Sequence, residues 1–305
     1  MTADPTIDPA RFPGPAGLVD PAQIRELALS TAVEAKGALT ALGGDYMSSQ
    51  AARTAAKDLG MKGWPFYFGG RVGVLGPVAP EVVHAVVGFF PADLAVPSWS
   101  TARDPKQSPP LDRVVDRYRD VQRKWADEFL AALPEDEAHE LADMLREIAT
   151  TSETGLSPLA AAWGAMPEPA SARHRVVHWS MVMREQRGGL HITAVQMAGL
   201  DPLEAIVSGP LGEAGAKFFR WPAPYPQPDD ATRLFREQAE EITDELASRA
   251  YRGLTREQAE RLLALLSRAA ELAAGGGLAR VVAEREAKEA AAGAEDEAGA
   301  AVNEA

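Results

Sequence analysis

The chain has 305 residues and no cysteine. That length admits one domain or two, and the missing thiols exclude disulfides, thiolate metal sites, iron–sulfur clusters and cysteine nucleophiles together. The formal net charge of -13 weighs against binding through phosphates, so DNA is poorly supported by charge and would need a local basic patch or a partner. No apolar run approaches the roughly 18 residues of a membrane span, and the opening residues lack an apolar signal core; a cytoplasmic protein without a membrane partner is expected.

Residues 1–20, with Pro5, Pro9, Pro13 and Pro15, read as a flexible arm. A first helix starts at Pro21, carries Gln23, Ile24, Leu27, Ala28 and Ala32 at helical spacing, and stops at Gly43 and Gly44. A second spans Ser48 to Leu59 with Gly60 as its cap. Next comes an aromatic segment, Trp64, Phe66, Tyr67 and Phe68, followed by glycines at 69, 70, 73 and 76. These glycines fit neither GxxxxGK nor GxGxxG and have no βαβ setting, so they read as packing glycines. Pro80 opens a helix through Val82, Val83, Val86, Val87 and Phe90 that is apolar nearly all round and therefore expected to be buried. Pro97 to Pro110 reads as an irregular connector between an N-terminal half, 21–97, and a second half, 108–215.

Two amphipathic helices follow. The first, Leu111 to Leu133, holds Arg113, Arg117, Arg119, Arg123 and Lys124, but Asp116 and Asp120 are spaced to pair with Arg119 and Lys124, so it reads as a solvated face. After a connector between Trp163 and Pro169 comes a helix rich in polar groups. A break is expected at Gly188 and Gly189, then helices at Ile192 to Met197 and Pro202 to Val207 around the turn Ala198-Gly199-Leu200, with Asp201 as cap. That layout is helix-turn-helix-like. Since no Lys or Arg occurs from Gly188 through Ala216, it reads as a structural unit and not a DNA reader. Residues 229–272 form a helical pair, with a stripe at Phe235, Ala239, Ile242, Leu246 and Ala250 and a capping box at Thr255 and Gln258. The pair is expected to bury against another subunit, giving a homodimer, or against the body. Residues 275–305 read as a disordered acidic tail. Strand signals are scarce, so the expected fold class is all-α, with many helices.

Chemistry concentrates between His174 and Ile206, where His174, His178, Arg184, Glu185, Arg187 and His191 lie among Val176, Val177, Trp179, Met181, Val182 and Met183. Buried charges must be paired or hydrogen-bonded. His174 and His178 have metal-ligand spacing, but Glu185 stands roughly 10 Å further along the axis than His178, so no metal and no other cofactor is expected. His139-Glu140 begins like a zincin motif and fails at Asp143.

Arg184 and Arg187, three apart, can point into one groove and hold a carboxylate or phosphate, with Glu185 and His191 as proton-transfer candidates. The alternative is an Arg–Glu network that locks the helix to the core. Gly188 and Gly189 allow close approach, and the helix after them would aim free amides at an anion. Trp64, Tyr67, Phe89 and Phe90 line either a ligand cavity or the core. An internal duplication is suggested by FGGRVGVLGPVAPEVVHAVV and REQRGGLHITAVQMAGLDPLEAIV, each an arginine, glycines, then a proline-started apolar helix. The arginine of the first copy is Arg71. The ligand-binding candidates are Arg184, Glu185, Arg187, His191, His178, Trp64, Tyr67 and Arg71.

In GWPFYFGGRVGVLGPVAPEVVHAVVGFF, LSPLAAAWGAMPEP and VVHWSMVMREQRGGLHITAVQMAGLDPLEAIV the chain resembles a family of actinobacterial proteins bearing a helix-turn-helix label, over roughly residues 25–270. The Arg184–Gly188 pattern is its most specific element. The resemblance implies a regulator by fold label, and fold does not fix function. This chain departs from it at Gln186, where relatives carry histidine, at Gly189, where they carry an acid, and in the first helix, which reads EAKGAL without the relatives' histidine. The pair after Asp229 is also similar to the C-terminal dimerisation helices of MarR-like regulators. The first expectation is a non-enzymatic, ligand-sensing regulator with a small anionic ligand near Arg184, Glu185, Arg187 and His191. A helical enzyme acting on a small anionic substrate and an interaction scaffold stay open, and no complete catalytic motif decides between them.

Overall fold

The computed structural model describes residues 20–152 and 157–276. The expected arm, up to residue 19, and the acidic tail, from residue 277, lie outside the described residues. Among those described there are thirteen α-helices and several 3-10 turns, and no strand.

Local chemistry accounts for most of the helix ends. Helix α1 (Pro21–Leu42) has proline in its first turn and Asp20 accepting from the amide of Ala22. Ser49 caps α2 (Gln50–Asp58), and Gly60 ends it with φ +69°. The aromatic segment that follows, for which no helix was expected, is α3 (Gly63–Val72). Its glycines pack against α6 (Leu111–Phe129). A Cβ on Gly70 would meet the Tyr118 ring at 2.4 Å, and one on Gly73 would meet Val115 at 2.7 Å.

Helix α4 (Pro80–Val87) is shorter and less buried than its apolar composition suggests. Gly88 stops it at φ +46°, only Val83 and Val87 are buried, and Val82 is 43% exposed. Helix α5 (Ala92–Arg103) runs through Pro97, so the irregular connector is confined to Asp104–Pro110. Proline inside a helix costs about 3 kcal/mol. Burial of Ala95, Trp99 and Ala102, and the Trp99 indole donating to the Val78 carbonyl at 2.9 Å, offset that cost.

Helices α7 (Glu135–Thr151) and α8 (Pro158–Gly164) lead to α9 (Ala172–Met197), whose 26 residues make it the longest helix. Helices α1, α6, α7 and α8 surround it, together with α12 (Asp230–Ser248). The expected break at Gly188 and Gly189 does not occur. Two helical glycines cost about 1 kcal/mol each relative to alanine, and burial of Leu190, Ala194 and Val195 beyond them carries the helix on. The helix-turn-helix-like unit is therefore the end of α9, a turn with Gly199 at φ +82°, and α10 (Pro202–Val207), capped by Asp201 and Glu204 in a capping box. Helix α11 (Gly212–Phe218) packs on α10.

Helix α13 (Arg256–Ala273) starts in the expected Thr255–Gln258 capping box and buries Leu262, Leu265, Leu266 and Ala269 within the same chain, where it packs on α1 and α7. Helix α12 is rotated relative to its apolar stripe. It buries Ala239, Thr243, Asp244 and Ser248, whereas Phe235 is 39% exposed and Ile242, Leu246 and Ala250 are half-buried. Polar groups turn inward because α1 and α9 present cations there. One continuous core takes residues from Ala28 to Ala273 and contains Trp99, Trp125 and Trp163, while a smaller one joins Val195, Leu200, Ala205 and Ala239. Of the charged pairs expected on α6, Asp116–Arg119 forms, at 3.9 Å, whereas Asp120 pairs with Arg123 and Arg117 and not with Lys124.

Candidate functional site

Helix α9 carries two ionic networks, one toward each neighbour. Toward α3, Glu185 accepts from both sides of the Arg71 guanidinium, from Nε at 2.9 Å and Nη2 at 2.8 Å. Arg184 adds a third bond, Nη1 to Glu185 Oε1 at 2.7 Å, and Arg71 Nη1 donates to the Tyr67 hydroxyl at 2.7 Å. Glu185 is 2% exposed and Arg71 8%. Burial opposes the Glu185 charge, but Arg71 and then Arg184 outweigh it and hold the carboxyl below its ordinary range. Backbone anchors complete the joint: the Trp163 indole donates to the Arg71 carbonyl at 3.0 Å, and Ser157 Oγ to the Glu185 carbonyl at 2.7 Å. One carboxylate between two guanidiniums leaves a net positive charge.

Toward α12, Arg187 Nη2 lies 2.7 Å from both Glu240 and Asp244. Lys36 of α1 donates to Asp244 at 2.8 Å, and Arg236 is 2.6 Å from Glu240. Burial opposes the charge on Glu240, yet Arg187 and Arg236 bring its pKa down to about 2. Within this network His191 Nδ1 is 2.8 Å from Thr243 Oγ1, and that hydroxyl donates to the Ala239 carbonyl at 2.6 Å. Thr243 must then accept from His191, which assigns the proton to Nδ1 and leaves Nε2 as an acceptor. Burial pushes the His191 pKa down to about 4, so the ring is neutral near pH 7. It stacks on Phe89 with centroids 5.5 Å apart.

Between these networks lies a cavity of about 500 Å³, bordered by Lys36, Tyr67, Arg71, Phe89, Arg184, Glu185, Arg187, Gly188 and His191. A second cavity, of about 810 Å³, adjoins it and is bordered by Asp45, Lys62, Trp64, Phe218 and Arg220 among others. Thr40, Tyr67, Phe90, Arg184 and Phe219 border both, so the two form one cleft. Its walls carry six cations, Lys36, Lys62, Arg71, Arg184, Arg187 and Arg220, against the acids Asp45 and Glu185. With Arg236, Glu240 and Asp244 behind the wall included, the balance is seven against four, in a chain whose net charge is -13. Aromatic packing supports the rim: Trp64 meets Phe90 at 5.6 Å and Phe218 at 6.3 Å.

The fold thus brings seven of the eight candidates to this cleft, and His178 is the exception. It is 1% exposed, packs edge-on to Trp179 with centroids 4.8 Å apart, borders neither cavity, and has no hydrogen-bond partner on either ring nitrogen. Burial brings its pKa down to about 4. His174 is engaged by Asp127 at 2.6 Å, and no group of three or more His, Asp or Glu side chains among the described residues is placed to hold a metal. Arg184 and Arg187 do not act as one fork, because their donors go to carboxylates on different sides. Nor does α9 aim free amides at an anion, since the helix has no terminus at Gly188.

Lys36, Ser157, Glu240, Thr243, Asp244 and Arg220 escaped the sequence reading. One had a signal: Lys36 interrupts the buried Ala32, Ala35, Leu39 face of α1, whereas Glu240 and Asp244 are lost among the many charged residues of α12. Arg220 is the one non-glycine residue with positive φ among those described, at 66°.

Residues 30–280 match a family described as the Helix-turn-helix family, a stretch that contains every residue bordering both cavities. The chain belongs to that family. No curated protein and no solved structure matches it. Gln186 and Gly189 of α9, with Lys36 and Leu39 of α1, also border the first cavity. The unit that suits the family's label is short: α10 has six residues, about 9 Å of helix, and Glu204 is used in its capping box. No helix among the described residues is long and apolar enough to cross a membrane.

Proposed function

We propose that this protein is a small-ligand-binding regulator of the Helix-turn-helix family that takes an organic anion into the cleft beside Arg184. The observation that carries this reading is the excess of cations on the walls of one aromatic-rimmed cleft in a strongly acidic chain. A low-polarity cleft with fixed cations concentrates anions against the field of the whole molecule. Arg184 is the contact residue because its side chain is 26% exposed and borders both cavities, whereas Arg71 is spent on Glu185. DNA reading by α10 is not part of the proposal, given its length and its lack of basic residues. Pairing of two copies would fall at the start of α12, where Leu234 and Phe235 are 51% and 39% exposed.

The test is a thermal-shift series of aromatic and aliphatic carboxylates, each with its uncharged amide analogue. Carboxylates raise Tm, the amides do not, and Arg184→Gln removes the shift while Glu185 keeps its bidentate Arg71 partner and the fold. Equal shifts from acids and amides would contradict the reading. A second reading, an enzyme acting on a small anionic substrate, is favoured by one observation: the fixed tautomer of His191, a cavity-bordering ring that keeps one acceptor nitrogen. Turnover of an anion that binds, lost in His191→Phe with binding retained, would select it.

A further inference from the structure

Arg184, Gly188 and His191 are spaced i, i+4 and i+7 on α9, so they share one helical face, and all three border the first cavity. The centre of that face is open. A Cβ built on Gly188 would meet nothing within 4 Å, so neither packing nor a positive φ requires glycine there. Glycine within a helix is a destabilising choice, and what it leaves is space along the axis between the arginine and the histidine. Each end of the face offers a different chemistry. At one end stands a guanidinium, an anion receptor that cannot lose its charge. At the other, the His191–Thr243–Ala239 chain fixes an acceptor nitrogen, and Glu240, 3.8 Å from Nε2, brings only oxygen acceptors already engaged by Arg187 and Arg236. The same cavity carries apolar side chains, Leu39, Val86, Phe89 and Ile192 among them.

We infer that this face measures its ligand: it takes an elongated, apolar-bodied hydroxy acid whose anionic group meets Arg184 and whose hydroxyl donates to His191 Nε2, the two about 10 Å apart, the rise of seven helical residues. The inference rests on the binding reading above and adds to it a length and a second functional group.

Calorimetric titration of the full chain with four probes tests it. 4′-Hydroxybiphenyl-4-carboxylate has both groups at about the separation of two helical turns. Biphenyl-4-carboxylate lacks the hydroxyl, 4-hydroxybenzoate is too short, and 4-hydroxybiphenyl lacks the acid. The two-ended probe binds at least tenfold more tightly than any of the others. His191→Phe removes the hydroxyl advantage, so that the two-ended probe and biphenyl-4-carboxylate bind that variant equally, and Gly188→Leu blocks all four with an unaltered circular dichroism spectrum. If the acids bind through Arg184 but hydroxyl and length make no difference, the measuring face is wrong and the anion site stands. If no acid binds, or 4-hydroxybiphenyl binds as well as the acids, both readings fall. The wild-type series decides this even if a variant fails to fold.

Discussion

The two networks on α9 use the same residue types to different ends. On the α3 side a single carboxylate is enclosed by two guanidiniums, Glu185 is 2% exposed, and the geometry is bidentate. On the α12 side, Lys36, Arg187 and Arg236 share Glu240 and Asp244, with side-chain exposures from 11% to 35% and a neutral histidine among them. Burial separates their roles. An enclosed pair is expensive to break and adds little when formed, so the Glu185–Arg71 pair acts as a joint, whereas Arg184, 26% exposed, and the half-wetted α12 network can exchange partners with a ligand.

Breaking the joint gives the largest effect. Glu185→Ala leaves two guanidiniums facing one another at the α3–α9 contact and is expected to cost about 3 to 5 kcal/mol in urea unfolding; a loss below about 1 kcal/mol would mean that the enclosure is not as tight as its geometry. Acid separates the networks next. The folded His191 pKa, about 4, lies below its unfolded value of about 6.5, so the unfolded chain takes up the proton first. Stability present above pH 6.5 is then lost as pH falls toward 4, by up to about 3 kcal/mol. His178 shifts the same way, so the comparison needs unfolding curves of His178→Leu and His191→Phe at pH 7 and pH 4.5, each variant losing its own share of the slope. The carboxylates follow only at lower pH, because Glu185 and Glu240 are held below their ordinary range.

Asp244→Asn, which weakens one of two carboxylate contacts to Arg187 and the contact to Lys36, is expected to cost about 1 to 2 kcal/mol. A loss equal to that of Glu185→Ala would erase the distinction between the networks. Smallest, and of opposite sign, Gly188→Ala is expected to stabilise by up to about 1 kcal/mol. A destabilised variant would show that the space above Gly188 is not open.

The residues that were readable are those whose partners are close in sequence or whose burial is periodic: the helical class, the caps at Gly60, Asp201 and Thr255, and the polar cluster of α9 itself. Misreadings came from local punctuation overruled by packing. Gly188-Gly189 and Pro97 look like breaks and are held inside helices by Val195 and Trp99. The glycines of α3 look like a loop because the Tyr118 ring that fills their notch lies about fifty residues away in the chain. The same distance hid the partners of the site. Nothing near Arg187 in sequence indicates Asp244, and nothing near Glu185 indicates that Arg71, not Arg187, supplies its bidentate partner.

The most direct test of the division between joint and site is a paired measurement on Arg184→Gln: calorimetric affinity for biphenyl-4-carboxylate and unfolding free energy on the same preparation. The account predicts binding at least tenfold weaker than wild type with stability within about 1 kcal/mol, since Arg71 still satisfies Glu185. Unchanged affinity, or a loss of stability as large as that of Glu185→Ala, would place Arg184 in the joint and contradict it.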